Sequence, residues 1–540
     1  MLLPERPTYD EICAAFQWRI PEKYNMVQDV CDKHPNHATA LIYVQANGQE
    51  TRTTFGELKK ISAQLANVLL AQEVKREDRV GILLPQCLET AVTHLAAYRL
   101  GAIALPLFTL FGEEALEYRL KDSGAKVLVT NRQNLPKIEV IKEQLPDLST
   151  IVIIDGPGGT LNFWDAISRA KSSFKTVETA ANDPAVLIYT SGTTGPPKGA
   201  LHAHRFMLGH MPSMSFYHEF MPKPGDLFWT PADWAWIGGL MDVLMPSWFV
   251  GSPVLALEAG KFDPEHALRM MEKHRVQNAF LPPTALKMMR HVPKVNTNYN
   301  LHLRTIFTGG EAMGEALLNW GQEQLGVMIN EGYGQTEYNL AVGNCAKIMP
   351  VRPGSMGRPI PGHTVEIIDE DGNILPAGQS GHIAFKTPHP IAMLRYWNRP
   401  DATKEKYIDN WMVSGDQGMK DEDGYLWFEG RTDDVIISAG YRIGPGEIEN
   451  CLLKHPAVSI SAAVGVPDPI RNEVVKAFIV LNPGHHPSDA LKKEIQTHVK
   501  IRLAAHEYPR QIEFIDELPM TATGKIRRKA LRERPKNAAK

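Results

Sequence analysis

An α/β protein with more than one domain is what this sequence predicts, and three observations carry the expectation. Short apolar runs alternate with helical patterns from Arg79 to Ile154, the mark of a largely parallel sheet covered by helices. At 540 residues the chain is longer than one hydrophobic core usually serves. From residue 434 to the end a second, smaller set of strands and helices follows.

Taken in order, residues 1 to about 50 read as helix and loop. Thr54-Phe55-Gly56-Glu57-Leu58 opens a helix with Thr54 as its cap and an apolar stripe through Leu58, Leu65 and Val68. Arg79–Pro85 reads as a buried strand, Leu88–Leu100 as a helix stopped by Gly101, and Ala102–Leu107, Lys126–Thr130 and Ile151–Ile154 as further strands. Ala185–Ile188 is strand-like and leads into a polar loop. Asn278–Thr284 reads as a strand running into a helix, and Thr305–Glu311 as a strand ending in a glycine turn. Arg352–Pro359 is a turn-dense connector, after which Val365–Ile368 and His382–Phe385 read as strands of a small β subdomain. The C-terminal domain is read as helix Glu447–His455, strands Ala457–Val466 and Val474–Leu481, and helix Ser488–Leu503.

Composition narrows the class. Hydrophobic content of 43% and charged content of 22% suit a soluble globular enzyme. A net charge of −3 gives no reason to expect nucleic acid or an anionic membrane as partner. Five cysteines, dispersed and without a C-x-x-C pair, fit buried thiols in a reducing compartment. The first residues lack the basic and apolar regions of a secretory signal, and no apolar run approaches membrane-spanning length, so a cytoplasmic setting is expected.

Three stretches carry chemistry. Tyr189-Thr190-Ser191-Gly192-Thr193-Thr194-Gly195-Pro196-Pro197-Lys198-Gly199 packs glycines, hydroxyls and a lysine into one loop, able to cradle a phosphate or to form a polar surface turn. It is not a Walker A loop, because prolines precede the lysine. In Asn330–Glu337 a tyrosine ring can stack on a purine, Thr336 can donate to phosphate and Glu337 can hold Mg2+; a plain glycine turn is the competing reading. Gly430–Arg442 sets arginines and glycines where a surface hairpin would not require them. Between these, Thr230–Gly239 places Trp234 and Trp236 before two glycines, fit either for core packing or for an apolar cavity wall. His202 and His204 lack a third ligand nearby and read as strand and helix start, not as a metal pair. Asp421–Gly424 lacks calcium-loop spacing and reads as a hairpin turn.

In this order, from about Phe55 to Arg532, these words resemble the adenylate-forming superfamily, in particular its branch of acetyl-CoA and medium-chain acyl-CoA synthetases. The resemblance implies a large adenylation lobe (1–432) of layered α/β subdomains with a small β-barrel-like subdomain, and a small mobile C-terminal α/β domain (433–540) carrying the catalytic lysine. It implies that Thr190, Ser191, Gly192, Thr193, Thr194 and Lys198 hold the phosphates of ATP. Gly310, Glu311, Glu331, Gly332, Tyr333, Gly334, Gln335 and Thr336 would surround adenine and the α-phosphate, with Mg2+ on Glu337. Asp416 and Arg431 would take the ribose, Arg442 the phosphate of the adenylate, and Asp433 would be the hinge. Lys525 would be catalytic in the first step, and Thr190, Asp433 and Arg442 belong to the same catalytic set. Ala439 and Gly440 would border coenzyme A, and Trp234, Trp236, Gly239, Gly309 and Gly334 the acyl pocket.

The reaction so implied joins a carboxylic acid to coenzyme A through an acyl-adenylate, with release of AMP and pyrophosphate. Acetyl-CoA synthetases resembling this chain carry tryptophan at the place of Gly334. An indole covers about 150–250 Å², so glycine there predicts an acid longer than acetate, of short-to-medium length, with branched, aromatic and thioether acids included. The alternatives are an adenylating enzyme serving a carrier protein, an amino-acid-activating relative using Asp233, and a silent nucleotide-binding regulator. The context of Lys525 also suggests a lysine acetyltransferase and deacetylase as partners, and the chain is read as a possible homo-oligomer.

Overall fold

The computed structural model describes residues 1–190, 196–258, 260, 262–310, 313, 315–431, 436–519, 526 and 528–534. Among them, three sheets organise the chain. One has a parallel centre in which Thr305–Gly309 lies between Asn278–Phe280 and Ile329–Tyr333, continuing outward through Phe228–Trp229 and Val254–Leu257. Past Ile329–Tyr333 it turns antiparallel through Val342–Gly343 and Ser355–Pro359. There it joins the small β subdomain of Leu426–Arg431, Trp411–Lys420, Ser380–Lys386 and Val365–Ile368. The second sheet is the predicted parallel set, with Arg79–Leu83 between Ile103–Pro106 and Val127–Thr130. The third belongs to the C-terminal domain, where Val458–Asp468 pairs antiparallel with Asn472–Leu481.

Local chemistry explains several element boundaries. The Thr54 hydroxyl accepts from Glu57 N at 3.2 Å while the Glu57 carboxylate accepts from Thr54 N at 2.7 Å, a reciprocal cap for the helix Phe55–Ala71. Leu58, Leu65 and Val68 are buried on its inner face. Gly101, at φ +65, stops the helix Leu88–Leu100 in the left-handed region that glycine enters at little cost. Ser488 caps the helix Asp489–Arg502 by accepting from Leu491 N at 3.1 Å.

Two readings of the sequence need correction. The first 50 residues are not only helix and loop: Thr39–Val44 is a strand, parallel to Val254–Leu257 and antiparallel to Glu50–Thr54. Its parallel partner lies over 200 positions away, while its antiparallel partner follows directly across a short turn. The connector Arg352–Pro359 likewise contains the strand Ser355–Pro359. Gly354 at φ +84 and Gly357 at φ +98 supply the bends, and pairing with Val342–Gly343 and Trp427 makes the segment the bridge between the two parts of its sheet. His202 and His204 lie as expected, on the strand Lys198–Ala203 and just before the helix Phe206–Tyr217, where burial takes both imidazoles down to about 3. Asp421–Gly424 is the turn between Trp411–Lys420 and Leu426–Arg431, with Gly424 at φ +83. No helix among the described residues is long and apolar enough to cross a membrane.

Candidate active site

The predicted phosphate loop is the connection of a β-hairpin. Pro184–Thr190 and Lys198–Ala203 pair antiparallel with Thr190 opposite Lys198, and the Thr190 hydroxyl donates to Lys198 O at 3.3 Å. Ser191, Gly192, Thr193, Thr194 and Gly195 lie outside the described residues. Lys198 begins the return strand, its ammonium 5.4 Å from the centre of the Tyr396 ring. The Tyr396 hydroxyl in turn donates to Glu337 at 2.5 Å. Tyr396 reaches this place because Arg395–Tyr396 pairs with Leu201 and Ala200 as an edge strand. It therefore ties the phosphate hairpin to Glu337.

The neighbouring wall is polar and buried. Asp416, 2% exposed, accepts from the Tyr333 hydroxyl at 2.6 Å and from Gln335 Nε2 at 3.1 Å. Gln335 Nε2 also donates to Ser414 O at 2.6 Å, and Lys406 Nζ donates to Gln335 Oε1 at 3.2 Å. The Ser414 hydroxyl accepts from Asp416 N at 3.0 Å. Asp416 stands opposite Arg431 in the ladder; the Arg431 and Arg442 side chains are outside the described set. Thr336 is half-buried beside this cradle, just before Glu337. Glu331 is buried and accepts from Met313 N at 3.4 Å, and burial pushes its carboxyl up to about 8.

The other wall is apolar and draws on both lobes. Trp236, Phe280, Phe307 and Tyr217 form a row of rings, with centroid separations of 5.5, 4.9 and 4.2 Å. Gly310, at φ +96, ends the strand beside this row: a Cβ there would sit 3.6 Å from the Trp236 ring and 3.7 Å from Gly440 O. Gly440, at φ +80, would place its own Cβ 3.7 Å from the far edge of the same indole. Trp236 is thus flanked by a glycine of the large lobe and a glycine of the C-terminal domain. Ala439, also at positive φ, precedes Gly440 and donates its N–H to Arg471 O at 2.9 Å.

The remaining pocket candidates divide. Trp234 is fully buried core, and its indole N–H has no partner among the described residues. Gly239 is no open wall either, since a Cβ would lie 2.8 Å from Ala232 O. Gly309 and Gly332 are needed for strand packing: a Cβ on Gly309 would stand 2.7 Å from Gly332 O, and one on Gly332 2.7 Å from the Tyr217 ring. The case of Gly334 is a correction. A Cβ there would overlap Leu340 N and stand 2.9 Å from Asn339 C, so the position faces backbone and not a cavity that glycine leaves free. Behind it, Asn339 Nδ2 donates to Asp242 at 2.6 Å and lies 2.8 Å from His210 Nε2, pinning the turn to the helical segment after Gly239. Burial raises the Asp242 carboxyl well above its usual range. Asp233 accepts from Ala235 N at 2.8 Å, and burial takes its carboxyl up to about 6. Glu311, Asp433 and Lys525 lie outside the described residues.

With this geometry in view, comparison with known proteins is decisive. The family described as AMP-binding enzyme matches residues 27–397, and the AMP-binding enzyme C-terminal domain matches 447–525. The chain belongs to the AMP-binding enzyme family, in its acyl-CoA synthetase branch. It is 37% identical to the rat (Rattus norvegicus) "Acyl-coenzyme A synthetase ACSM3, mitochondrial", covering 97% of this chain and 93% of that protein. The crystal structure of Brucella canis acyl-CoA synthetase is similar at 33% identity and TM-score 0.73, over 98% of this chain and 99% of that one. The anthranilate CoA ligase AuaEII, solved with anthranoyl-AMP, is similar at 31% identity and TM-score 0.72, over 95% and 97%. The fold is that of the AMP-binding enzymes, and the activity class is an AMP-forming acid–CoA ligase.

For an AMP-binding enzyme two further observations matter. Among the described residues no three His, Cys, Asp or Glu side chains gather as a metal cage. The buried carboxylate of Glu337, oriented by Tyr396, is the kind of donor that suits Mg2+, which keeps most of its water and phosphate ligands. Tyr396 and Phe280 are among the site residues that reading the sequence did not find. Tyr396 sits on a two-residue strand and Phe280 on a three-residue one, too short for any period, and only sheet pairing brings them in.

Proposed function

We propose that this acyl-CoA synthetase activates carboxylic acids longer than acetate, of short-to-medium length and apolar or weakly polar, aromatic acids included. The observation that carries the reading is the half-buried Trp236 ring beside Gly310, backed by the buried rings of Phe280, Phe307 and Tyr217 and set beside a polar nucleotide cradle. The absence of a side chain at Gly334 no longer supports it. The relative solved with anthranoyl-AMP lends the aromatic part of the range.

In the first step the carboxylate attacks the α-phosphorus of ATP, forming the acyl–O–P bond and expelling pyrophosphate. No base is needed, because a carboxylate is already ionised at neutral pH. The Thr190–Lys198 hairpin and Lys525 supply positive charge and donors where charge builds up. Asp416, held by Tyr333 and Gln335, takes the ribose hydroxyls, with Arg431 beside it. Glu337 would hold Mg2+, which neutralises phosphate charge when bound. In the second step the thiol of coenzyme A attacks the acyl carbonyl, and AMP leaves with the C–O electron pair. The domain 433–540, turning about Asp433, exchanges Lys525 for Ala439 and Gly440 at the same place. A Cβ at either glycine of the Trp236 seam would narrow the approach of a slender thiol arm.

The test is a panel of acids from acetate to decanoate, with benzoate and anthranilate, assayed for coenzyme A-dependent AMP release. The expected result is kcat/KM rising beyond acetate. A maximum at acetate overturns the chain-length reading, and acid-dependent pyrophosphate exchange without coenzyme A-dependent AMP release would favour a carrier-protein acceptor.

A further inference from the structure

The C-terminal domain touches the large lobe at a place that none of the nucleotide or acyl contacts explains. There the loop Phe108–Phe111 and the first turn of the helix Glu113–Ser123 meet the end of the helix Asp489–Arg502. Gly112 N donates to Leu503 O, and Phe111 and Ala504 form an antiparallel bridge. The amino end of one helix thus meets the carboxyl end of the other, so their dipoles run head to tail. Glu114 receives two cations of the small domain, Lys454 at 2.6 Å and Arg502 at 3.2 Å. Phe108 packs edge-on against Tyr441 and His506, at 5.8 and 6.1 Å, and those two rings stack at 3.9 Å. Tyr441 directly follows Gly440, so this contact is one residue from the Trp236 seam.

Gly112 is the most exacting part. A Cβ on it would stand 2.5 Å from the Arg502 carbonyl carbon and would overlap Ile501 O. Its own φ is −80, ordinary for any residue, so its backbone does not require glycine, and the three atoms a Cβ would meet first all belong to the other domain. The missing side chain serves the approach of the other domain. A rotation that withdraws Gly440 from Trp236 also moves Tyr441 off Phe108 and parts Gly112 from Leu503.

We propose that Phe108–Glu114 is the seat on which the C-terminal domain docks for the thioester-forming step, with Gly112 and Glu114 as its positioning residues. This rests on the two-step reading above. Neither residue touches substrate; each acts by populating the pose in which Gly440 meets Trp236. Exposed ion pairs are weak, but an equilibrium between two poses of similar energy responds to small terms.

The experiment compares Gly112→Val, Glu114→Arg, and Glu114→Arg combined with Lys454→Glu and Arg502→Glu. Acid-dependent pyrophosphate exchange without coenzyme A reads the first step, and thioester formation from supplied acyl-adenylate reads the second. A fluorophore pair across the lobes reads docking without any chemistry. Gly112→Val should slow the second step by roughly ten- to a hundredfold, the effect of an overpacked contact, with exchange within about twofold of the parent. Glu114→Arg should slow it less, and the charge-reversed triple variant should recover both rate and transfer efficiency. Equal losses in both steps, no loss in either, or no recovery by the triple variant would overturn the proposal. Absence of exchange in the parent with every acid would instead sink the two-step reading, leaving the docking measurement to judge the seat.

Discussion

The cradle around Asp416 and the seam around Trp236 sit side by side and are built on opposite principles. The cradle belongs to the large lobe alone: Tyr333, Gln335, Ser414 and Lys406 are joined around Asp416 by hydrogen bonds of 2.6–3.2 Å, with Gln335, Ser414 and Asp416 buried and Tyr333 and Lys406 half-buried. The seam joins two lobes at the Trp236 ring, where a Cβ added to Gly310 or to Gly440 would lie 3.6–3.7 Å from the indole. A network of buried polar groups is costly to disturb and so stays put. Contacts between glycine and an indole edge form and part without leaving a donor or acceptor unpaired. The difference teaches where a two-step enzyme keeps its fixed part and where it keeps its exchangeable part.

The comparison breaks most sharply at Asp416. Asp416→Ala removes the carboxylate that accepts from both the Tyr333 hydroxyl and Gln335 Nε2, a loss of about 2–3 kcal/mol. A fall of roughly a hundredfold in kcat/KM for ATP in the exchange assay is expected, with both steps impaired. An effect confined to the second step would contradict the division drawn here. Gly440→Leu should give the opposite pattern. Added bulk at φ +80 beside Trp236 is expected to slow thioester formation about tenfold or more, while pyrophosphate exchange stays near the parent rate; rapid-quench assays of each half-reaction decide it.

Gly334→Trp sharpens the cradle side. The Leu340 backbone blocks that direction, so the variant should lose about 1–3 kcal/mol of stability, seen as a lowered Tm, without a change in preference between acetate and hexanoate. A preference shift toward acetate at unaltered Tm would restore a pocket at that position. A pH-dependent effect belongs to Glu331. Its carboxyl is raised by burial to about 8, above the unfolded value, so the folded state holds the proton more tightly. Stability therefore falls as pH rises from the unfolded carboxyl range toward about 8. Glu331→Gln should flatten that slope in denaturant titrations at pH 5, 6.5 and 8; identical slopes in both proteins would refute the buried neutral acid.

Much of the fold was legible because its signals are local. The capped helix from Phe55, the glycine stop at Gly101 and the buried strands from Arg79 to Ile153 each follow from neighbours in the chain. The strand Thr39–Val44 was not: its hairpin partner Glu50–Thr54 is local but polar, and its apolar neighbour Val254–Leu257 is distant in sequence. The polar words Tyr333-Gly334-Gln335-Thr336-Glu337 and Asp416 were legible as types of residue, and the structure brings Tyr333, Gln335 and Asp416 into hydrogen-bonding contact.

What the sequence by itself determined is the alternation of elements, the order of the chemical words and the membership in the AMP-binding enzymes that this order implies. These are properties of short stretches, readable from spacing and residue type. Tertiary structure alone decided the direction in which each side chain, or missing side chain, points. It turned Gly334 toward the Leu340 backbone, sank Trp234 into the core, set Tyr396 on Glu337 and left Gly112 bare for the carboxyl end of a helix nearly 400 residues away. The physical reason is that a Cβ vector has meaning only against the atoms it meets, and those atoms come from parts of the chain that no local pattern names.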